Sequence, residues 1–203
     1  MQQLFGTSPW EAGAVLLALA YLLLAVRRNL WSWPCAFVSA VIYLVLFARQ
    51  ALYMQTLLQL FYIGMAVYGF VEWRRGRTED GQVSISSRPL LWHGLRLGLV
   101  VVASGVNGWL LTRFSSDAQS PYLDSFVMWG SVLTTWMVAR RIIENWLYWV
   151  VFDSVAAYLY FTQGLHATAL LFGAYVGIVI HGYGVWRREQ RLQQAVVPPQ
   201  PAV

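Results

Sequence analysis

Asn29-Leu-Trp-Ser-Trp33 and Asn145-Trp-Leu-Tyr-Trp149 open two hydrophobic blocks that end alike, the first on Gly69 and Trp73-Arg74-Arg75, the second on Gly182 and Trp186-Arg187-Arg188. An offset of 116 residues relates the two Asn-x-x-x-Trp elements, and one of 113 relates the two Gly-x-x-x-Trp-Arg-Arg elements. This spacing predicts two repeats that differ only in loop length. Tyr62 and Gly64 fall on Tyr175 and Gly177 at the second offset, and Arg27-Arg28 and Arg140-Arg141 each precede their block. A polar and aromatic pattern duplicated within apolar sequence implies a membrane protein built from two structural repeats, an architecture used by transporters.

The composition agrees with a lipid solvent, being 58% hydrophobic and only 11% charged. Seven apolar runs read as spans: Ala12 to Val26, Trp31 to Phe47, Met54 to Val71, Leu91 to Leu111, Ser125 to Ala139, Trp146 to Phe161 and Ala167 to Val185. None alternates like a barrel strand, and an open sheet cannot satisfy its backbone in lipid, so the fold class is all-α. Three spans per repeat with one between them make the repeats parallel, a 3+1+3 order within a single membrane domain over 1–203. The first repeat covers 12–73, the linker helix 91–111 and the second repeat 125–186. A solvated linker from Arg74 to about Leu90 and a tail over 187–203, proline-rich from Val197, complete the chain.

All fourteen basic residues are arginine. Alternation through seven spans puts eleven of them on one side and Arg49 and Arg113 on the other, with Arg96 just inside the fourth span. The positive-inside rule then predicts an outside N-terminus and a cytoplasmic C-terminus. The first apolar run lacks a basic n-region and is followed by Arg27-Arg28, so it reads as a retained span and not as a signal peptide. The net charge of +5 serves topology and attraction to anionic lipid, and nucleic acid is not an expected partner. Cys35 is the only cysteine, which excludes an intrachain disulfide. His93, His166 and His181 lie in separate segments and read as packing or interfacial residues. No Walker, Gly-x-Ser-x-Gly or His-Glu-x-x-His motif is present, so neither an enzyme nor a metal or other cofactor is expected.

Candidate solute contacts follow helix faces. Asn145, Trp149, Asp153 and Tyr160 are spaced by four, four and seven residues along the sixth span. Asp153 lies ~12 Å along the helix from Asn145 at ~1.5 Å per residue, near mid-bilayer. A carboxylate there costs at least ~2.5 kcal/mol unless it faces a cavity or a partner, so it either braces the bundle or lines a site. Gln55, Gln59 and Tyr62 form a matching stripe on the third span, needing another helix or a solute as partner. With Asn29 and Trp33 from the first repeat and Tyr175 from the second, these residues suit a planar, weakly cationic, polyhydroxyl solute. No arginine lies deep within a span to bind a phosphate.

The Asn-x-x-x-Trp pair, Leu58-Gln59-x-x-Tyr62, Tyr68-Gly69-x-x-x-Trp73 and Gly182-x-x-x-Trp186 together resemble the Pnu family of bacterial vitamin transporters, in particular its nicotinamide riboside carriers. The resemblance covers nearly the whole chain. It implies a fold related to the sugar-carrying SWEET proteins, placement in the cytoplasmic (inner) membrane, and facilitated diffusion of nicotinamide riboside with trapping by phosphorylation. Thiamine, riboflavin and nucleosides are the alternative solutes it implies, and a homo-oligomer such as a trimer is among the assemblies it allows. A solute-binding module dependent on a separate energising partner is the competing class. The first repeat departs from the second in having no polar residue that answers to Asp153.

Overall fold

The computed structural model describes residues 9–49, 53–76, 84–114, 120–162 and 166–196. Within them lie seven helices: α1 (Pro9–Val26), α2 (Ser32–Arg49), α3 (Tyr53–Arg75), α4 (Leu90–Phe114), α5 (Pro121–Ala139), α6 (Asn145–Thr162) and α7 (His166–Val196). Thr56–Arg75, Leu90–Phe114 and Ala169–Ala195 are long and apolar enough to cross a membrane unaided, while the apolar stretches Ala12–Val26 and Ser32–Leu46 are shorter. The expected tail from Val197 onward, residues 77–83 of the expected linker, and the side chain of Gln55 lie outside the described residues.

Two compact units account for the chain. The first holds α1–α3 together with Ala139–Arg141, and the second holds Ile85–Val138 and the chain from Ile142 onward, so α4 belongs with the second unit. In the first unit α2 packs against both α1 and α3, and Ser39 Oγ donates to Ala14 O at 2.8 Å. In the second, α6 packs on α7. Linker helix α4 turns Val100, Ser104 and Gly108 inward, while Leu91, Leu95, Leu99, Val102 and Val106 point out. Spacings of four and three place those residues on one lipid-facing stripe. The inward face is fastened to the start of α5: Asn107 Nδ2 donates to Ser125 Oγ at 2.9 Å.

The turn after α1 recurs after α5. Arg28 and Arg141 both adopt left-handed backbone, with φ of 54° and 60°. Asn29 N–H reaches Leu24 O at 2.9 Å and Ile142 N–H reaches Met137 O at 3.0 Å, the long bond of a Schellman cap with arginine where glycine is usual. Ser32 N–H to Asn29 O and Asn145 N–H to Ile142 O follow at 3.0 and 3.1 Å, then Trp33 N–H to Leu30 O and Trp146 N–H to Ile143 O, both at 3.3 Å. Every one of these pairs is related by 113 residues. The expected offset of 116 at this end is therefore corrected: Trp33 answers to Trp146, Ser32 to Asn145, and Asn29 to Ile142.

Two further expectations change. Helix α7 continues past the expected span end at Val185, through the charged segment, to Val196, because Arg, Glu, Gln and Leu are good helix formers once the chain has left lipid. The connector before α4 is strapped down over residues 84–89. Ile143 N–H donates to Ser86 O at 2.9 Å, Ile85 N–H donates to Gln193 Oε1 at 3.1 Å, and the Ser87 hydroxyl donates to Glu144.

Candidate functional site

The same indole lock holds each repeat. Trp33 is 1% exposed, stands edge-on to Trp73 at 5.4 Å and 90°, and lies so close to Gly69 that a Cβ there would fall within its ring. Trp146, also 1% exposed, meets Trp186 at 5.4 Å and 80°, and a Cβ at Gly182 would come within 2.8 Å of its ring. Gly-x-x-x-Trp thus works as a packing device: the glycine admits an indole from the preceding helix, and the tryptophan one turn later closes on its face. Trp33 is therefore part of the interior of the first repeat. Trp146 was missed as its counterpart, although the 113-residue offset pointed to it.

Asn29 and Asn145 separate in the same way. Asn29 is exposed in the α1–α2 turn, where its Oδ1 accepts the Trp31 N–H at 2.9 Å. Asn145 is 0% exposed and donates from Nδ2 to Ile142 O at 2.6 Å, locking the start of α6. The pair expected to share a role does not share an environment. Asn29 lies in a turn, and Asn145 bonds back to the turn at the start of α6.

The remaining candidates lie deeper along the helices. Gln59 on α3 is 9% exposed and Asp153 on α6 is 6% exposed. Among the described residues no hydrogen bond or ion pair is made by the Asp153 carboxylate or the Gln59 amide. Trp149, one turn before Asp153, is half-buried and stacks on no ring among the described residues. In the second unit Tyr175 meets Phe172 at 5.5 Å, and Phe172 meets Tyr160 of α6 at 5.2 Å, so α6 and α7 share an aromatic patch. Tyr62 is half-buried on α3, one turn beyond Gln59, next to Phe61.

Polar groups also gather at the helix ends. Glu72 at the end of α3 takes Arg140 at 3.5 Å and Arg141 at 3.9 Å. Arg140 also donates to the Tyr68 hydroxyl at 3.3 Å, and that bond, followed by the Glu72 carboxylate, raises the arginine's pKa above its ordinary value. At the start of α6, His93 Nδ1 and the Tyr148 hydroxyl are 2.9 Å apart, with Glu144 at 3.9 Å from His93 Nε2. These groups are engaged with each other and hold helix ends together. Buried polar atoms without a hydrogen-bond partner also occur at these helix ends, among them Ser32 Oγ, Asn145 Oδ1 and the indole nitrogens of Trp33 and Trp146.

A family model described as "Nicotinamide mononucleotide transporter" matches residues 8–188. The chain belongs to that family. It is a multi-pass membrane protein of a vitamin-transporter family, and not an enzyme. Among its relatives is the riboflavin/roseoflavin transporter RibM of Streptomyces davaonensis, 27% identical over 92% of this chain and 89% of that protein. The nicotinamide riboside transporter PnuC of Escherichia coli is 20% identical over 89% of this chain and 86% of its own. The crystal structure of the vitamin B3 transporter PnuC superposes with a TM-score of 0.71 at 18% identity, covering 93% of this chain and 84% of that one. At that identity the likeness is one of fold, and it agrees with the seven-helix, 3+1+3 order.

Proposed function

We propose that this family member carries nicotinamide riboside across the cytoplasmic membrane by facilitated diffusion, with cytoplasmic phosphorylation trapping the solute. Its N-terminus lies outside and its C-terminus inside, as the arginine distribution favours. The observation that carries the reading is the Asp153 carboxylate. It is buried within α6 and unpartnered among the described residues, so it is not bracing its own bundle. A carboxylate so placed is stabilised by a delocalised cation such as a pyridinium ring, and the free indole face of Trp149 attracts the same group. In the unit that holds Asp153, Tyr175 brings a hydroxyl for a ribose, and on the other unit Gln59 and Tyr62 offer an amide and a hydroxyl of the same chemistry.

Riboflavin is the second reading, favoured by the 27% identity to the Streptomyces carrier. A neutral isoalloxazine would use the same indole and amides without needing a carboxylate. Proteoliposomes holding only this chain test the choice. Saturable uptake of labelled nicotinamide riboside, blocked by the unlabelled compound and unaffected by riboflavin, is the expected result. Saturable riboflavin uptake with no effect of nicotinamide riboside would establish the second reading. Facilitated diffusion further requires that the solute equilibrate and never exceed its outside concentration. Accumulation driven by a proton or sodium gradient and lost in Asp153→Asn would make Asp153 a coupling site instead.

A further inference from the structure

Arg96 is the arginine that the topology leaves furthest inside a helix. It is the seventh residue of α4 and is exposed. Its guanidinium carbon lies 5.4 Å from the Trp92 ring centroid and 5.8 Å from that of Trp136 on α5. The two indoles are themselves stacked, 6.1 Å apart at 16°. Among the described residues no carboxylate pairs with Arg96. This is a cation held beside two stacked indoles at an exposed surface, with no carboxylate among the described residues to meet it.

The depth of the group identifies what meets it. A 25-residue helix is ~37 Å long, and when centred it overhangs a ~30 Å hydrocarbon core by ~4 Å at each end. Arg96 lies ~9 Å from Leu90 along the axis, so its Cα sits ~5 Å below the headgroup boundary. Helical side chains lean towards the N-terminus, which carries the guanidinium up over Trp92, one turn earlier, to the level of the lipid phosphates. Both indoles lie within cation–π reach of the guanidinium. Its N–H edges stay available for bidentate bonds to two phosphate oxygens, a geometry that arginine offers and lysine does not. We propose that Arg96, Trp92 and Trp136 form a binding site for one anionic phospholipid headgroup in the leaflet facing the N-terminal end of α4. The site belongs to the second unit alone. In the first repeat the position of Trp136 is taken by Leu23, and no helix there corresponds to α4.

Native mass spectrometry of the protein released from vesicles of phosphatidylcholine with phosphatidylglycerol tests the proposal. Wild type and the control Arg74→Gln, which removes an exposed arginine elsewhere, are expected to retain one phosphatidylglycerol that Arg96→Gln releases. The apparent affinity should fall on the order of tenfold, the loss of one charge-assisted pair. Trp136→Leu keeps the charge but removes one of the two indoles, and is expected to retain the lipid to an intermediate degree even if Arg96→Gln folds poorly. Equal retention by wild type, Arg96→Gln and Trp136→Leu would overturn the site. Displacement of the lipid by soluble glycerol phosphate at equal concentration would also overturn it, showing an anion site indifferent to the bilayer.

Discussion

In the first repeat the chain leaves α1 through left-handed Arg28, starts α2 at buried Ser32, and seats Trp33 between Gly69 and Trp73. In the second, 113 residues later, it leaves α5 through left-handed Arg141, starts α6 at buried Asn145, and seats Trp146 between Gly182 and Trp186. Below the turns the likeness thins to a few positions such as Tyr62 and Tyr175. Ala40 stands where the second repeat has Asp153, Gln59 where it has Phe172, and Glu72 where it has Val185. Helix starts and helix contacts are constrained by backbone geometry and indole volume, so two copies of one motif keep them. Interior polar groups are not held by that constraint, and on the proposed function they are free to differ between the copies.

The largest expected effect comes from breaking the lock. Gly69→Val would set a branched Cβ 2.4 Å from the buried Trp33 ring. Overpacking of a well-filled interior costs ~1–3 kcal/mol and often more. We expect Gly69→Val to yield little folded protein. Gly182→Ala, whose single methyl meets Trp146 at 2.8 Å, should fold with a lowered melting temperature. Fluorescence-detected size exclusion after heating reads both, and a tolerant Gly69 would mean that the two repeats do not share the lock.

Next come the groups found in only one repeat. Asp153→Asn keeps shape and removes the charge, so uptake of cationic nicotinamide riboside should fall at least ~10-fold, given ~2.5 kcal/mol or more for an intramembrane charge left without its partner. Uptake of neutral riboflavin, if present, should be unchanged. Trp149→Ala should abolish saturable uptake of either solute while leaving membrane insertion intact, since it removes the free stacking face but not the Trp146 lock. A control at the equivalent position of the first repeat, Ala36→Ser, should change neither. Normal transport by Trp149→Ala would return that ring to the lipid interface.

Much of this asymmetry is legible in sequence, and the reason for the part that is not is geometric. Helix number and order follow from apolar runs and arginine placement, because backbone in lipid has no alternative to a helix. The register of the repeat does not follow from Asn-x-x-x-Trp. Trp146 and Trp149 lie three residues apart, nearly on one face of α6, so either can be paired with Trp33 by eye. The turn hydrogen bonds and the seating of Trp146 against Gly182 and Trp186 separate them. The strap over 84–89 was hidden for another reason: Ser, Arg and Pro near Gly read as solvated loop, whereas the partners of Ile85, Ser86 and Ser87 lie more than fifty residues away. Asp153 was visible as a conspicuous carboxylate. Its lack of a partner was not, since partners come from other helices.

Gln59 offers a finer probe. Its amide is buried and unpartnered among the described residues, so Gln59→Ala removes no bond within the fold. A lost hydrogen bond to a solute that can rehydrate is worth ~1 kcal/mol, roughly fivefold in affinity. Calorimetric titration should show that weakening with an unchanged melting temperature. A matching loss of stability would assign Gln59 to helix bracing instead.

The smallest effects decide the register itself. If the repeats were aligned at 116 residues, Asn29 and Asn145 would be equivalents and their alanine variants would behave alike. At 113 they are unrelated. Asn29→Ala removes one exposed acceptor from the Trp31 N–H, water replaces it, and stability should change by at most ~0.5 kcal/mol, as for most surface substitutions, with uptake within about twofold of wild type. Asn145→Ala removes the 2.6 Å side-chain bond to the buried Ile142 carbonyl, which keeps only the backbone N–H of residue 145, and should cost ~0.5–1.5 kcal/mol. The conservative swap is sharper still. Asn145→Ser installs the residue that the first repeat uses at the same point, Ser32, whose hydroxyl makes no hydrogen bond there, so it should be no more stable than Asn145→Ala, whereas Asn29→Ser should do nothing measurable. Thermal denaturation of the four variants in one detergent is sufficient. Equal losses for Asn29→Ala and Asn145→Ala would restore the 116-residue pairing and with it a shared role for the two asparagines.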